Sequence, residues 1–231
     1  GVATASTQSF FRFDGCDFTN NRVTNLGGVE LEVPAEGGVI STVAWSHVEV
    51  YKSAFTSNYV PSQWMACGGA ISGIEVPMVY LERCSFQGNY VAAESSVAKA
   101  RGGAVYISEG TTLSFKSCTL SDNSAASPNS RADGGAVHSL YGLALLMDGT
   151  SFIRNKAVSQ TQEHDGGAIY AFDTRLDAKH TSFIDNNAGR GAAFFTASGS
   201  AYRSALHNVS FRGNWGGPTA TLGAVFRWTC Q

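Results

Sequence analysis

The chain has 231 residues, with 16 Lys and Arg against 18 Asp and Glu and a formal net charge of −2. This balance gives no basic surface for nucleic acid and no acidic tail, so we expect no nucleic-acid partner. The longest purely apolar runs are short, as at residues 143–147, and we therefore expect no transmembrane segment.

Two short motifs alternate along the chain about seven times. The first is a GGA-like triplet, at residues 27–29, 68–70, 102–104, 134–136, 166–168, 190–192 and 222–224. The second is Phe-x-x-Asn, with Leu replacing Phe once, at residues 18–21, 55–58, 86–89, 120–123, 152–155, 183–186 and 211–214. A repeat that covers almost the whole chain predicts one solenoid domain over residues 1–231.

The spacing of the motifs predicts the kind of solenoid. The distance from the first Gly of a triplet to the Phe or Leu of the next second motif is 18 residues in three units (68 to 86, 102 to 120, 134 to 152). It is 17 residues in the next unit (166 to 183). The stretches from Asn to the next triplet hold 3 to 12 residues and share little sequence, which is typical of loops. A constant core of about 22 residues, at about 3.3 Å per strand residue, fits one turn with three short strands. We predict an all-β, single-stranded, right-handed parallel β-helix of about seven coils, with variable loops on one corner.

After each triplet the sequence predicts a strand with one inward and one outward column. The inward column contains Ile71, Val105, Val137, Ile169, Ala193 and Val225. The outward column contains Ser72, Tyr106, His138, Tyr170, Phe194 and Phe226. Such an aromatic row could stack on sugars or meet a flat protein surface. Burial of the row under neighbouring loops is the equally weighted alternative.

The next strand carries an inward pair in nearly every unit, from Phe11 and Phe13 to Leu145 and Met147. An outward column alternates in charge over Glu82, Lys116, Asp148 and Lys179, and a column of small side chains follows it. Cys84 and Cys118 belong to that small column, and we expect them to be buried, reduced thiols.

The Phe and Asn of the second motif have structural roles in this interpretation. We expect the Phe side chains to stack in the core, and the Asn side chains to bond along a ladder at a corner that tolerates left-handed backbone. The paired glycines suit a corner with positive φ and close approach of the next coil.

The stretches after the Asn contribute Tyr59, Trp64 and Tyr90, and the longer ones span residues 91–101, 124–133 and 156–165. Because they recur at one corner of every coil, they predict a continuous edge on which recognition residues could lie. Ordinary solvated loops are the alternative interpretation.

The coupling of Gly-Gly-Ala-Ile/Val to Phe-x-x-Asn, over about residues 10–228, resembles the polymorphic outer-membrane protein repeat of chlamydial surface autotransporters. The resemblance implies a β-helical passenger region with an adhesin-like role, and hence an extracellular, cell-surface or other exported compartment. The chain lacks a visible β-barrel translocator and has degenerate triplets at both ends. Because it begins with Gly1 and shows no targeting segment, we expect a fragment or processed part of a longer protein.

Carbohydrate cleavage is the main enzymatic alternative, since enzymes with β-helices commonly act on polysaccharides. The nearest candidates for an acid/base or Ca²⁺ site are Arg101, Asp133 and Asp165, which precede successive triplets. An inter-coil salt bridge is the structural alternative. The five Cys show no metal-ligand spacing, and we expect no metal or cofactor.

These observations predict a non-enzymatic scaffold or adhesin-like module that presents loops and an aromatic face to a protein or glycan. The candidate binding residues are Tyr59, Trp64, Tyr90, Tyr106, His138, Tyr170, Phe194 and Phe226. The alternatives are a polysaccharide lyase or hydrolase of the pectin-lyase-like fold and a peripheral subunit of a large assembly.

Overall fold

The computed structural model describes residues 3–6, 8–24, 34–160, 164–198, 204–216 and 226–230. In this part of the chain every regular element is a short β-strand, and all strand pairs are parallel. The predicted all-β parallel β-helix is confirmed. The described residues contain no helix that could cross a membrane.

The strands follow one another turn by turn. The first turn contains β1 (Ala3–Ser6), β2 (Phe10–Asp14), β3 (Asp17–Thr19) and β4 (Ala35–Glu36). The second contains β5 (Ile40–Val43), β6 (His47–Tyr51), β7 (Ala54–Thr56), β8 (Tyr59–Ser62) and β9 (Met65–Cys67). The third contains β10 (Ile71–Ile74), β11 (Met78–Glu82), β12 (Ser85–Gln87), β13 (Tyr90–Ala93) and β14 (Lys99–Arg101). The fourth contains β15 (Val105–Ser108), β16 (Thr112–Lys116), β17 (Thr119–Ser121), β18 (Ser124–Ser127) and β19 (Ala132–Asp133).

The fifth turn contains β20 (Val137–Leu140), β21 (Ala144–Asp148), β22 (Ser151–Ile153), β23 (Lys156–Ser159) and β24 (His164–Asp165). The remaining strands are β25 (Ile169–Phe172), β26 (Arg175–Lys179), β27 (Ser182–Ile184), β28 (Asn187–Ala188), β29 (Phe194–Ser198), β30 (Ala205–His207), β31 (Ser210–Arg212), β32 (Trp215–Gly216) and β33 (Phe226–Cys230).

Stacking of the turns produces five sheets, which we number in the order in which the chain visits them. The first sheet has the order β1-β5-β10-β15-β20-β25-β29-β33, and the second has β2-β6-β11-β16-β21-β26-β30. The third has β3-β7-β12-β17-β22-β27-β31, the fourth β8-β13-β18-β23-β28-β32 and the fifth β4-β9-β14-β19-β24. About five turns therefore include all or most sheet positions, a minor difference from the seven coils predicted.

The variable stretches are not simply loops, and this corrects the prediction of three strands per turn. Residues 91–101 lie mostly in β13 and β14, and residues 124–133 contain β18 and β19. In the described part of the chain, the connections between the fourth and fifth sheets differ in length, with two residues between β8 and β9, five between β13 and β14 and four between β18 and β19. Small apolar side chains fill a second core beneath these two sheets, formed by Ala35, Val60, Ala66, Val91, Ala93, Ala98, Ala100, Ala125 and Ala132.

The main core contains the predicted Phe stack. Phe55 and Phe86 lie parallel with ring centroids 4.6 Å apart, and Phe152 and Phe183 with centroids 5.0 Å apart. Leu120 interrupts the stack, and here Phe115 of the second sheet makes edge contacts with Phe86 at 6.4 Å and with Phe152 at 6.1 Å. The core therefore stays aromatic across the interruption.

The Asn residues form the predicted ladder. The Nδ2 of Asn123 donates to the Oδ1 of Asn155 at 2.9 Å and to the carbonyl oxygen of Phe86 at 3.0 Å. The same pattern repeats from Asn21 to Asn214. The left-handed residue is the one before each Asn, as at Asp122 with φ 57°, so the expectation of left-handed backbone was one residue late.

The triplet register differs from the prediction at both ends. Gly37 and Gly38 donate backbone bonds to the carbonyls of Cys67 and Gly68, as the corner glycines of the next turns do, so residues 37–39 replace the proposed 27–29. Pairing of Ile169 with Phe194 shifts the later triplet from 190–192 to 191–193. Residues 27–29 and 222–224 themselves lie outside the described residues.

Other column predictions are confirmed. The inward pairs align, as Leu113 with Leu145 and Phe115 with Met147. Cys84 and Cys118 are buried free thiols, as expected.

Candidate functional site

The outer face of the fourth sheet carries two of the predicted binding residues. Tyr59 and Tyr90 begin β8 and β13 and are half-exposed, while the next residue of each strand, Val60 and Val91, is buried in the second core. Their rings stack with centroids 5.2 Å apart and planes 11° apart. The Arg22 guanidinium lies 5.3 Å from the centroid of the Tyr59 ring and extends the stack. We call Tyr59 and Tyr90 the tyrosine platform.

The platform hydroxyls stay protonated at neutral pH. Burial, and then the carboxylate of Glu94, raise the pKa of both Tyr59 and Tyr90. Trp64 lies close in sequence, in the connection between β8 and β9, and is half-exposed. Its backbone N–H donates to the Ser62 hydroxyl at 3.2 Å, which fixes the turn that carries it.

A depression of about 460 Å³ lies beside the platform. Tyr90 and Gly88 form one side of it, Ser124 and Ala126 lie in the middle turn, and Lys156 and Val158 form the other side. Asp122 also lines it and is held by Arg154 through two 2.8 Å bonds. Small side chains at one turn between two larger neighbours produce the depression.

A second depression, of about 390 Å³, lies on the outer face of the second sheet and is lined by charged side chains of both signs. The predicted register of Glu82, Lys116, Asp148 and Lys179 is confirmed. Within the described ranges, the ion pair that forms between neighbours of this column is Lys116 to Glu82, at 3.5 Å. The same face also carries Tyr51 and Tyr80, whose rings have centroids 5.8 Å apart but are tilted by 51°, and Tyr80 pairs with Ser114 on the wall of the depression.

The aromatic row of the first sheet is buried, so the interpretation that neighbouring segments cover it is right and outward exposure is wrong. Tyr106, His138 and Tyr170 are at most 5% exposed. Their rings stack at 5.4 Å and 4.7 Å, and the stack continues from Tyr170 to Phe195 at 5.4 Å.

Phe194 does not belong to this row. It pairs with Ile169 and packs into the main core, because the triplet begins one residue later than predicted. Phe226 pairs with Phe194, and its side chain lies outside the described residues.

The second predicted cluster lies at the end of the fifth sheet. Arg101, Asp133 and Asp165 occupy neighbouring positions of three successive strands, as expected from their place before the triplets. Asp133 and Asp165 are essentially inaccessible to solvent. The three residues and the aromatic row together form what we call the inner corner.

Arg131 and Arg190 neutralise the two carboxylates, a role that the sequence had suggested for Arg101. Arg131 binds Asp133 at 2.7 Å and Asp165 at 3.1 Å, and Arg190 donates from Nε to Asp165 at 2.6 Å. Arg101 makes no ion pair with any described residue, and its Nε is buried without a hydrogen-bond partner. The inter-coil salt-bridge interpretation is correct for the two aspartates but not for Arg101.

The fifth sheet covers the aromatic row directly. The Arg131 guanidinium lies 5.1 Å from the centroid of the Tyr170 ring and donates to its hydroxyl at 2.9 Å. The Ser72 hydroxyl donates to Glu36 at 3.3 Å in the same corner. These bonds connect the two rows across the Gly-Gly bend, while the Nε of Arg101 and the Nδ1 of His138 are buried without a hydrogen-bond partner in the described part of the chain.

Burial dominates the protonation of the inner corner. It lowers the pKa of His138 well below the usual range, helped by Arg101 and Arg131, so the imidazole is neutral. It raises the pKa of Tyr170 to about 12 and that of Asp133 to about 7, although Arg131 opposes the shift at Asp133. A carboxyl whose pKa lies near 7 is suited to general acid catalysis at neutral pH. Asp133 is buried, however, and a polymeric substrate cannot reach it in this arrangement.

The described part of the chain holds no group of three or more His, Cys, Asp or Glu side chains arranged for a metal ion. Five residues that shape these sites were not named individually from the sequence, namely Arg131, Arg190, Phe195, Ser124 and Lys156, although Ser124, Arg131 and Lys156 lie within the predicted edge of residues 124–133 and 156–165. Phe195 and the corner arginines needed the true strand register. The alignment of Lys156 with Ser124 was not predicted, because the stretch after each Asn was interpreted as a loop without strand register.

No protein-family model, no curated protein and no solved structure gives a significant match to the chain.

Proposed function

We propose that the chain is a non-enzymatic β-helical binding module that recognises a glycan on the outer face of the fourth sheet. The observation that carries the proposal is the half-exposed stack of Tyr59 on Tyr90 beside a depression of about 460 Å³. Aromatic faces and edges bind the C–H surfaces of sugars, and few convergent polar groups then fix their orientation.

The platform is preorganised by the solenoid. β8 and β13 pair with each other along four residues, and Val60 and Val91 anchor them in the second core. A rigid aromatic surface loses little conformational entropy on binding, so more of the contact energy becomes affinity.

The alternative of polysaccharide cleavage has less support. Asp133 and Asp165 are close in register, but both are buried and ion-paired with Arg131 and Arg190. A glycosidase needs one carboxyl to protonate the leaving oxygen and another to reach the sugar or a water. Neither carboxyl is accessible in this arrangement.

The resemblance of the repeats to adhesin-like passenger regions agrees with a binding role in an exported compartment. That resemblance concerns the repeat, whose Gly, Phe and Asn have structural roles. The recognition residues belong to the segments between the motifs, so a binding role rests on the tyrosine platform and not on the repeat.

Binding of the labelled chain to a glycan microarray tests the proposal, with Tyr59→Ser/Tyr90→Ser as the test variant. We expect the variant to lose at least about tenfold in affinity for the glycans that the wild type retains, because aromatic anchors dominate such surfaces. Tyr141→Ser is the matched control, since Tyr141 is 54% exposed at a different corner.

Equal binding by the double variant and the wild type would refute the proposal. Release of shortened saccharides from any bound glycan would replace it with the enzymatic alternative. A partner that proves to be protein alone would leave a binding module but overturn the glycan assignment.

A further inference from the structure

The side chains on the outer face of the fourth sheet form a stack with one position missing. The row runs Arg22, Tyr59, Tyr90, Ser124 and Lys156 through consecutive strands. The first three members stack on one another, at 5.3 Å and 5.2 Å. Ser124 is too small to continue the stack, and Lys156 follows it one turn later.

The other neighbour of Tyr90 in the row is Ser124, which is 7% exposed and carries no ring that could stack on Tyr90. Tyr59 covers one face of the Tyr90 ring, with the ring planes 11° apart, and the opposite face borders the depression beside Ser124. Residues 90 and 156 are two turns apart, which corresponds to roughly 9.6 Å at about 4.8 Å per turn. Contact distances of about 3.5–4.0 Å on each side leave room for one ring between them. We call this space the slot.

The positive charge in the slot favours a ligand ring that carries a negative charge. Lys156 is exposed and forms no ion pair with any residue that the structure describes. Asp122, the acidic group on the wall, already binds Arg154 through both oxygens. The slot thus offers an aromatic face on one side and an uncompensated ammonium on the other.

We propose that the slot binds a hexuronate unit of an acidic oligosaccharide. The pyranose ring stacks on the face of Tyr90 opposite Tyr59, in the place that a side chain larger than Ser124 would occupy. Its carboxylate faces the Lys156 ammonium, a charge-assisted contact of the stronger class. This inference rests on the proposed function, because it names the ligand class for the same face.

The test is isothermal titration calorimetry with tetramers of galacturonate, glucuronate and mannuronate, and with the methyl ester of each as an uncharged match. We expect at least one acidic tetramer to bind the wild type with a Kd below about 1 mM, and its ester to bind about tenfold more weakly. Lys156→Gln should weaken the acid about tenfold and leave the ester unchanged. Ser124→Tyr should abolish binding, because the added ring fills the slot.

Ser85→Tyr is the control for adding an aromatic ring, since Ser85 is exposed on the third sheet. The urea midpoint of each variant shows whether it is folded. If Ser124→Tyr does not fold, Lys156→Gln and the esters still decide the question.

The inference is overturned if no acidic tetramer binds at about 10 mM, if ester and acid bind equally, or if folded Ser124→Tyr binds like the wild type. Its failure differs from failure of the proposed function. If only the hexuronate assignment is wrong, Tyr59→Ser/Tyr90→Ser still loses at least about tenfold in affinity for glycans on the array. If the proposed function is wrong, that variant binds the array like the wild type.

Discussion

At the scale of single residues, each buried position of the Asn ladder requires a side chain with both a hydrogen-bond donor and an acceptor. The side chain of Asn123 is fully buried and uses both ends. Its Oδ1 accepts from the backbone N–H and from the Nδ2 of Asn89, each at 3.0 Å. Its Nδ2 donates to Asn155 and to the carbonyl of Phe86. No other small side chain supplies this combination of donors and acceptors.

We predict that Asn123→Ala lowers the free energy of unfolding by about 3 kcal/mol. The change removes the acceptor of the buried Asn89 N–H and the side-chain donor to the Phe86 carbonyl, which costs more than the bonds were worth in water. The Oδ1 of Asn155 still accepts from the backbone N–H of residue 123. Urea denaturation measures the effect.

Asn21→Ala is the matched control, because Asn21 is half-exposed at one end of the described ladder. This substitution should lower the free energy of unfolding by only about 1 kcal/mol. Equal losses for the two variants would contradict the importance of burial.

Asp133 should give the free energy of unfolding an unusual dependence on pH. Burial raises its pKa to about 7 in the folded chain, while an unfolded Asp titrates near its ordinary value of 3.8. Between these two values the folded state holds a proton that the unfolded state has lost. Stability from this group is therefore fully present below about pH 4 and declines as the pH rises toward about 7.

We predict that Asp133→Asn, which keeps an oxygen acceptor for Arg131, removes this decline. The free energy of unfolding of the variant, relative to wild type, should rise by roughly 4 kcal/mol from pH 4 to pH 8. Denaturant titrations at several pH values measure it.

Asp122→Asn controls for a carboxyl-to-amide change at an exposed ion pair. A constant difference between wild type and Asp133→Asn across this range would disprove the prediction.

At the scale of elements, the two corner glycines have different tasks. Gly102 has φ 65° and so adopts left-handed backbone. Gly103 instead faces the next turn, where an added Cβ would lie 2.1 Å from the Gly135 carbonyl oxygen and 2.6 Å from the Ser124 backbone. Neither of those backbone atoms can move without shifting a strand.

We predict that Gly103→Ala destabilises the fold by more than about 3 kcal/mol, because backbone crowding must push adjacent turns apart. Gly110→Ala is the comparison. Gly110 has φ 74°, and no atom lies within 4 Å of the place that an added Cβ would take, so only about 1 kcal/mol of left-handed strain is expected. Urea midpoints and slopes measure both, and a smaller loss for Gly103→Ala than for Gly110→Ala would contradict close approach.

Sequence alone could predict these corners, the Phe stack and the Asn ladder, since each depends on contacts with the same position in the next turn. It could also align Arg101, Asp133 and Asp165, because a fixed distance from a triplet sets the register. Prediction failed where a triplet is degenerate. Ala192 takes the place of the second Gly, and this moved Phe194 into the wrong column.

The fourth and fifth sheets were harder to predict for a physical reason. Their strands are two to four residues long, and their core is mostly Ala, so the apolar alternation is weak. The position of these sheets also determines whether the aromatic row is exposed or buried. Tyr106 and Tyr170 face away from the main core as predicted, but the fifth sheet folds over them, and strand alternation cannot indicate what lies above a face.

At the scale of the molecule, the residues that stabilise the fold lie apart from the proposed binding face. The main core and the inner corner are closed by stacking between turns, and most buried polar groups there bond to a neighbouring turn. The outer face of the fourth sheet carries an irregular side-chain row, from Tyr90 to Ser124 to Lys156. A repeat fold can vary such a face without disturbing the ladders.

A solenoid also makes local stability depend on the number of neighbouring turns. β16 pairs with β11 on one side and β21 on the other, and its Phe115 is 1% exposed. β2 pairs with β6 alone in the described structure, and its inward residues Phe11 and Phe13 are only partly buried.

We predict that hydrogen exchange follows this gradient. Amides of β16 should exchange at least about tenfold more slowly than those of β2, after correction for intrinsic rates, because opening β16 breaks two strand pairs and exposes more core. Mass spectrometry of peptic fragments measures it. The hydrogen-bonded amides of β6 provide an internal reference, since this strand is paired on both sides by β2 and β11 and should resemble β16 more than β2. Uniform exchange across the three strands would show instead that the turns open as one cooperative unit.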